Sequence, residues 1–150
     1  MRKGLLALVL AAAAVPAAAA SVPEPWSAQL SQQLAHIEEA AARNGFARVA
    51  GPFSGGAAQG QAQRITLHLD AGGEYRIAAV CDADCADIDL RLFDQNGRLI
   101  EEDLGRDDHP IVSSLPAWSG AFVVEARMHD CRHAEGCYFA VDVYGRARGL

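Results

Sequence analysis

The sequence has almost no lysine, since Lys3 is the only one among its 150 residues. Every positive charge after the N-terminal segment is therefore an arginine, which excludes Schiff-base chemistry and any mechanism that needs a lysine base. Residues 21–150 carry 11 arginines against 19 acidic residues, a net charge of −8. This balance argues against a basic surface for nucleic acid or anionic lipid.

Recognisable catalytic motifs are also missing. The chain contains no Gly-x-Ser-x-Gly and no His-Glu-x-x-His, and its Gly-rich segment at 55–60 lacks the lysine of a P-loop. Glu101, Glu102 and Asp103 are neighbouring acids after a predicted hairpin strand, where such acids are usually solvated. His109 is a lone histidine in a predicted loop. We therefore expect a protein that is not an enzyme and needs no cofactor.

A long apolar run occurs only at the N-terminus. Two positive charges precede an apolar segment at 5–15, and three alanines before Ser21 fit the small-residue rule for signal peptidase. Pro16 interrupts the run where a membrane-spanning helix of about 20 residues would have to continue. No cysteine precedes Cys81, so none is present for acylation at the cleavage site. We expect a signal peptide over 1–20, a periplasmic or secreted protein, and no membrane span after cleavage.

The four cysteines lie in two close pairs, Cys81 with Cys85 and Cys131 with Cys137. An even count at short spacing in an exported protein indicates disulfides. Four cysteines permit three pairings, and the sequence alone does not select one. We favour the two local pairs because each spans a predicted connection between strands. Such short closures contribute only about 2 kcal/mol each, so they fix turns more than they support the fold.

The chain changes its hydrophobic period once. Up to residue 45, apolar residues recur at helical spacing: Trp26, Leu30, Leu34, Ile37 and Ala41. They predict an amphipathic helix over 24–45 that ends at Asn44-Gly45 and packs against its own domain, with a partner surface as the alternative. The Gly/Ala/Gln-rich segment 46–62 is predicted to be a flexible connection or a long hairpin loop.

From residue 63 the period is two. The alternating residues are Ile65, Leu67 and Leu69; Tyr75, Ile77 and Ala79; Ile88, Leu90 and Leu92; Phe122, Val124, Ala126 and Met128; and Phe139, Val141 and Val143. DQNG at 94–97 predicts a hairpin turn. No helical pattern separates these strands, so parallel crossovers are not expected. The sequence predicts a mainly β protein: an antiparallel β-sandwich over 63–144 preceded by one helix, with a short tail at 145–150.

Residues 86–128 resemble the bacterial pre-peptidase C-terminal domain, and with flanking strands the likeness covers 63–144. The matching motifs are Asp87-Ile88-Asp89-Leu90, the turn Asp94 to Gly97, Asp107-Asp108, and Ser119-Gly120-Ala121-Phe122. The resemblance implies a jelly-roll-like sandwich that usually accompanies a secreted enzyme as a non-catalytic module. Some relatives bind matrix polymers or calcium. Because no peptidase domain lies within these residues, we expect a module that finds its partner in trans.

The stretch VCDADCADIDL at 80–90 raises the question of a metal site. Calcium takes six to eight oxygen ligands, and carboxylates here and in the later acidic loop could supply several. They belong to Asp82, Asp84, Asp87 and Asp89, and to Asp103, Asp107 and Asp108. The spacing does not fit an EF-hand, and strand alternation would equally make Asp87 and Asp89 a solvated face. We therefore keep calcium at Asp87, Asp89 and Asp107 as an alternative to a stapled turn, and consider a redox pair weaker because the spacing is Cys-x3-Cys.

A second metal hypothesis concerns MHDCRHAEGC, which places His129, Cys131, His133 and Cys137 within nine residues. Two imidazoles and two thiolates are a zinc or copper set in principle. Export favours oxidation of these thiols to a disulfide, which would remove the set.

Two functions remain open. The first is an exported non-catalytic module that binds a polysaccharide or a protein, with Trp118, Tyr138 and Tyr144 as candidate contacts because aromatic side chains dominate such surfaces. For Trp118, packing within the domain is the alternative. The second is a structural or envelope protein whose helix or acidic surface meets a protein partner.

Overall fold

The computed structural model describes residues 21–148, so the predicted signal peptide at 1–20 and the last two residues of the predicted tail lie outside it. The described residues form one helix and eight strands: α1 (Trp26–Arg43), β1 (Ala47–Ala57), β2 (Ala62–Leu69), β3 (Gly73–Cys81), β4 (Cys85–Phe93), β5 (Leu99–Asp103), β6 (Ile111–Ser114), β7 (Gly120–Cys131) and β8 (Cys137–Ala147). In this part of the chain no helix has the length and apolar character needed to cross a membrane.

The strands form two four-stranded antiparallel sheets. Sheet A has the order β1-β8-β3-β6 and sheet B the order β2-β7-β4-β5. The pairs β1/β8, β2/β7, β3/β6 and β4/β5 join strands at mirrored positions along the chain, as if one long hairpin were folded over. This nested pairing is the strand order of a jelly roll. The predicted antiparallel β-sandwich with one preceding helix is confirmed.

The core lies between the two sheets and is filled by the alternating residues. On β4 and β7, for example, Ile88, Leu90, Phe122 and Val124 are almost completely buried. The residues between them face outward, so β4 and β7 each have one buried apolar face and one largely polar face. The predicted turn at 94–97 is also present, because Asp94 Oδ1 accepts hydrogen bonds from the backbone N–H groups that follow it.

Helix α1 packs on the outer face of sheet A. Two clusters fill this interface: Leu30, Leu34, Val80 and Ala140 at one end, and Ala41, Phe46, Ala78 and Tyr144 at the other. As a result β3 and β8 are covered on both faces, and their middle residues are buried without alternation. The apolar stripe of α1 is thus used within the domain and is not free for a partner.

The helix ends where the sequence predicts. Gly45 adopts a φ of 78°, a left-handed conformation that glycine accepts without strain. Its N–H donates to Ala42 O at 3.0 Å, and the N–H of Phe46 donates to Ala41 O at 3.1 Å. These two bonds are those of a Schellman motif, which satisfies the last carbonyl groups of the helix.

The prediction of a flexible connection or a long hairpin loop over 46–62 is wrong, because most of this segment is β1. It pairs with β8 from Ala47 opposite Gly145 to Ala57 opposite Cys137. Register shifts between Arg48 and Phe53 interrupt the pairing, and the glycines and proline give the strand no alternating pattern. Sequence periodicity therefore could not detect it. The predicted tail is likewise shorter, since β8 continues to Ala147.

The disulfides are the two local pairs. Cys81–Cys85 closes the connection from β3 to β4, and Cys131–Cys137 closes the connection from β7 to β8. Each connection passes from one sheet to the other, and Cys85 lies opposite Cys131 in the ladder. The two bonds therefore join sheets A and B at one end of the sandwich. Disulfides of this kind are typical of proteins in an oxidising environment outside the cytosol.

A buried carboxylate lies under α1 on β8. The side chain of Asp142 is fully buried, and its Oδ2 accepts a hydrogen bond from the Tyr144 hydroxyl at 3.1 Å and lies 3.4 Å from Arg48 Nη1. Burial raises the pKa of Asp142, although Tyr144 and Arg48 oppose this shift. Burial and the Asp142 charge raise the pKa of Tyr144 as well.

We expect Asp142→Asn to change how stability depends on pH. Because its folded pKa is raised, Asp142 contributes stability that is full below its ordinary value of 3.8 and is lost as pH rises through the folded value. The unfolding free energy of the wild type should therefore fall relative to the variant as pH rises from about 4. Urea unfolding across pH measures this difference, with Glu39→Gln on the exposed face of α1 as the control. If the unfolding free energy of the wild type relative to Asp142→Asn does not change with pH, or increases as pH rises, the raised pKa of Asp142 is contradicted.

Close packing of β1 against Asp142 depends on Gly51. This residue has a φ of 99°, and a Cβ there would lie 2.8 Å from the Val141 carbonyl oxygen. We expect Gly51→Ala to lower the unfolding free energy by more than the ~1–2 kcal/mol that the left-handed conformation alone costs. Gly60→Ala is the matched control, because Gly60 has a φ of 80° and nothing within 4 Å of a Cβ. Equal losses in both variants, measured by urea unfolding, would show that no close approach is involved.

Candidate functional site

Sheet B presents an outer face that α1 does not cover, since α1 packs on β1, β3 and β8 of sheet A. One charged residue from each strand forms a ladder across this face. Arg64 on β2 bonds to Glu125 on β7 at 3.0 Å, Glu125 lies 3.7 Å from Arg91 on β4, and Arg91 bonds to Glu102 on β5 at 3.0 Å. Each of these surface pairs contributes little to the unfolding free energy.

Beside the ladder, two acids on β4 meet a histidine on β7. Asp87 and Asp89 both face outward, two residues apart. Asp87 pairs with Asp130 while Ile88 pairs with Met128, so His129 is the extra residue of a β-bulge. Bulges commonly redirect a side chain at a functional site. Here one ligand atom from each of Asp87, Asp89 and His129 lies within 4.8 Å of the other two.

The two carboxylates are shielded from water more than the histidine. The side chain of Asp89 is 10% exposed and that of His129 is 61% exposed, and Asp87 is buried like Asp89. Burial raises the pKa of Asp87, and the charge of Asp89 raises it further, while His129 opposes both effects. Asp87 Oδ1 is buried and has no hydrogen-bond partner among residues 21–148. The site thus places two acidic side chains together with too few hydrogen-bond donors for their buried oxygens.

The acids and the histidine line a shallow pocket of about 380 Å³ on this face. Its other lining residues are Arg91, Leu104, Arg106 and Arg127. Arg91 belongs to the ladder, but Arg106 and Arg127 make no ion pair with any described residue. The pocket therefore combines an acidic corner with two unpaired arginines, which suits an ion or a small polar group more than an apolar ligand.

Asp107 does not join the acidic cluster, so the predicted set of Asp87, Asp89 and Asp107 is corrected. The Asp107 carboxylate accepts a hydrogen bond from the backbone N–H of His109 at 3.0 Å. Its carbonyl accepts one from Ile88 N–H at 3.1 Å. In the same loop Asp103 accepts from two backbone N–H groups, and Asp108 bonds to the His109 ring. The carboxylates of the acidic loop mainly hold their own loop together.

The stretch that begins with Cys81 is a stapled turn. Asp82 Oδ1 accepts a hydrogen bond from Asp84 N–H at 3.0 Å, and its Oδ2 accepts one from Tyr138 N–H at 2.7 Å. Asp82 thus ties the β3–β4 turn to β8 through both of its carboxylate oxygens. The zinc set of His129, Cys131, His133 and Cys137 is also overturned, because the two cysteines form a disulfide.

The three candidate aromatic contacts lie in different environments. Tyr144 is only 1% exposed and lies under α1, so it does not belong to a binding surface. Tyr138 is half-buried with its ring centroid 5.3 Å from that of Trp26, and both line a pocket of about 250 Å³ near the disulfides. Trp118 is 41% exposed and stacks on Phe122 with ring centroids 6.1 Å apart.

Comparison of the chain with models of protein families and with curated proteins finds no match. The resemblance of residues 86–128 to the pre-peptidase C-terminal domain stays a prediction.

Trp118 is part of an apolar surface where the two sheets end. Of the seven large hydrophobic side chains exposed in the described chain, six come from this region: Leu99, Ile100, Leu104, Ile111, Leu115 and Trp118. We call them the apolar edge. β5 and β6 are the outermost strands of sheets B and A, and they lie side by side. A groove of about 300 Å³ runs here between Leu99, Leu115 and Trp118.

Acidic side chains of β5 accept hydrogen bonds from backbone N–H groups of β6. Asp103 Oδ2 accepts a hydrogen bond from Ile111 N–H at 2.9 Å, and Glu101 accepts one from Ser113 N–H. These N–H groups point away from β3 and would otherwise be free to pair with another strand. The edge is therefore protected against strand addition at β6, while its hydrophobic side chains stay exposed. Sequence reasoning identified Trp118 but missed the aliphatic residues around it, because β6 was not predicted.

Proposed function

We propose that this chain is an exported, non-catalytic binding module that contacts a protein partner through the apolar edge. The observation that carries the proposal is the concentration of exposed hydrophobic side chains between residues 99 and 118. Four of them, Leu99, Ile100, Leu115 and Trp118, line one groove. Single exposed apolar residues are ordinary on a protein surface, whereas an apolar patch marks an interaction site. Trp118 is the expected centre, because tryptophan is enriched among the residues that contribute most to binding.

The composition of the edge favours a protein over a polysaccharide. Apart from Trp118, its exposed members are leucine and isoleucine, which offer no hydrogen bonds to sugar hydroxyl groups. Aliphatic side chains gain most by covering other apolar side chains. The Asp103 and Glu101 bonds to β6 further favour recognition by side chains over addition of a strand.

The proposed compartment is the periplasm or the cell exterior. The signal-peptide pattern at 1–20 supports it, and so do the two disulfides. The likeness of residues 86–128 to the pre-peptidase C-terminal domain agrees with a non-catalytic module of this kind. In that interpretation the chain acts in trans on its partner.

The proposal is tested by site-specific photo-crosslinking in cells that export the protein. A photoreactive phenylalanine analogue replaces Leu115 in the apolar edge or, as the control, Val49, which is 56% exposed on β1. We expect discrete protein adducts from position 115 and none from position 49. Equal adducts at both positions, or none at position 115, would contradict a specific protein partner. Adducts formed only between two copies of this chain would show that the partner is a second copy of the chain.

We expect Trp118→Ala to abolish the adduct formed from position 115 and to weaken the isolated complex about 30-fold or more, as for a residue worth at least ~2 kcal/mol of binding. Calorimetry with the crosslinked partner, once purified, measures this loss. The matched control is Val49→Ala, which should change affinity less than about twofold. A melt of each variant verifies folding, because Trp118 stacks on Phe122. Unchanged binding by a folded Trp118→Ala variant would place the contact elsewhere.

A further inference from the structure

Asp87, Asp89 and His129 offer three metal-ligand atoms on one piece of sheet B. One atom of each side chain lies within 4.8 Å of the other two, and Asp89 Oδ2 lies 3.4 Å from His129 Nδ1. In a tetrahedral zinc site, with ligands ~2.0–2.2 Å from the ion, two ligand atoms are ~3.3–3.6 Å apart. We propose that these three side chains bind a divalent transition-metal ion of the zinc type.

Asp87 supplies an independent reason for a bound cation. Its side chain lines the pocket, the residue is only 7% exposed, and Oδ1 has no hydrogen-bond partner among the described residues. A buried carboxylate oxygen without a donor destabilises the fold. Asp89 places a second carboxylate next to it. A divalent cation between the two carboxylates removes both penalties at once.

The ligand types select the class of ion. Calcium prefers six to eight oxygen ligands, and an imidazole offers only nitrogen. Here the third ligand is a nitrogen, and the acidic-loop carboxylates of Asp103 and Asp107 already accept backbone hydrogen bonds. Carboxylate together with imidazole suits borderline ions such as Zn²⁺ and Co²⁺. The structure therefore favours these ions over the calcium expected from the sequence.

The supporting strands hold the three ligands in place without a loop. β4 and β7 are the two central strands of sheet B, and the Arg91–Glu125 pair joins them beside the site. Ligands on paired strands keep their geometry better than ligands on loops. Three protein ligands leave one coordination position, as in open zinc sites. With Arg106 and Arg127 in the same pocket, that position favours water or a small anion.

The test uses the untagged exported protein, stripped with a chelator and dialysed. Isothermal calorimetry with Zn²⁺ should give one ion per chain, Co²⁺ should give the intense visible absorption of a four-coordinate site, and Ca²⁺ in equal excess should bind far more weakly. At about 100 times its dissociation constant, Zn²⁺ should raise the melting midpoint by several degrees. This result is independent of the proposed protein partner, since the metal pocket shares only Leu104 with the apolar edge.

Two variants and one control distinguish this site from adventitious binding. His129→Gln and Asp87→Asn should each lower Zn²⁺ affinity at least tenfold and abolish the Co²⁺ absorption. His133→Gln is the matched control, because His133 is an exposed histidine four residues away that lines a different pocket. A melt of each metal-free variant verifies folding, because His129 lies 3.4 Å from Asp89 and its loss changes the charge balance of the site. Zn²⁺ binding that survives His129→Gln, preference for Ca²⁺, or no binding of either ion would overturn the proposal.

Discussion

Packing of α1 on the outer face of sheet A determines which surfaces of this sandwich meet solvent. The contact between Leu30 and Leu34 of the helix and Val80 and Ala140 of the sheet covers β3 and β8 on their second face. β3 and β8 therefore have no free face for a ligand, and Tyr144 is enclosed with Asp142 beneath the helix. The outer face of sheet B and the edge formed by β5 and β6 stay open to solvent. Both proposed sites lie on these open surfaces.

Several acidic side chains of this chain accept hydrogen bonds from its own backbone. Asp82, Asp94 and Asp103 each accept hydrogen bonds from two backbone N–H groups, which fixes turns and closes the edge of β6. This explains why an acid-rich sequence does not by itself provide a cation site. Among the described residues, buried side-chain oxygens without a partner occur only in Asp87 and Asp142. Asp142 still has Arg48 and Tyr144 beside it, whereas Asp87 faces a second acid and a pocket.

The predictable parts of this fold are those whose physics is local. Strict alternation identified the strands around Ile88 and Phe122, Asn44-Gly45 ended the helix, and short spacing indicated the disulfide pairs. The strand β1 was not predicted, because Gly51, Pro52 and the register shifts around them remove the alternating pattern. The site residues were harder to predict. Asp87 and Asp89 were identified as candidate ligands, but their partner His129 lies in a bulge on another strand. Which residues of two strands lie side by side depends on their register, and the local sequence of one strand does not show it. Tyr144 was misassigned because nothing local to it shows that the helix covers β8.

The position of α1 as an integral layer of the domain is tested most directly by native-state hydrogen exchange at increasing denaturant concentration. If the helix is needed to cover sheet A, its central amides should exchange through the same large opening as those of β3 and β8, with a free energy close to that of global unfolding. The short edge strands β5 and β6 should open more easily. Exchange of the α1 amides through a separate, low-energy opening that leaves β8 protected would contradict the view that α1 is an integral layer of the domain. The outer face of β3 and β8 would then be accessible to a ligand.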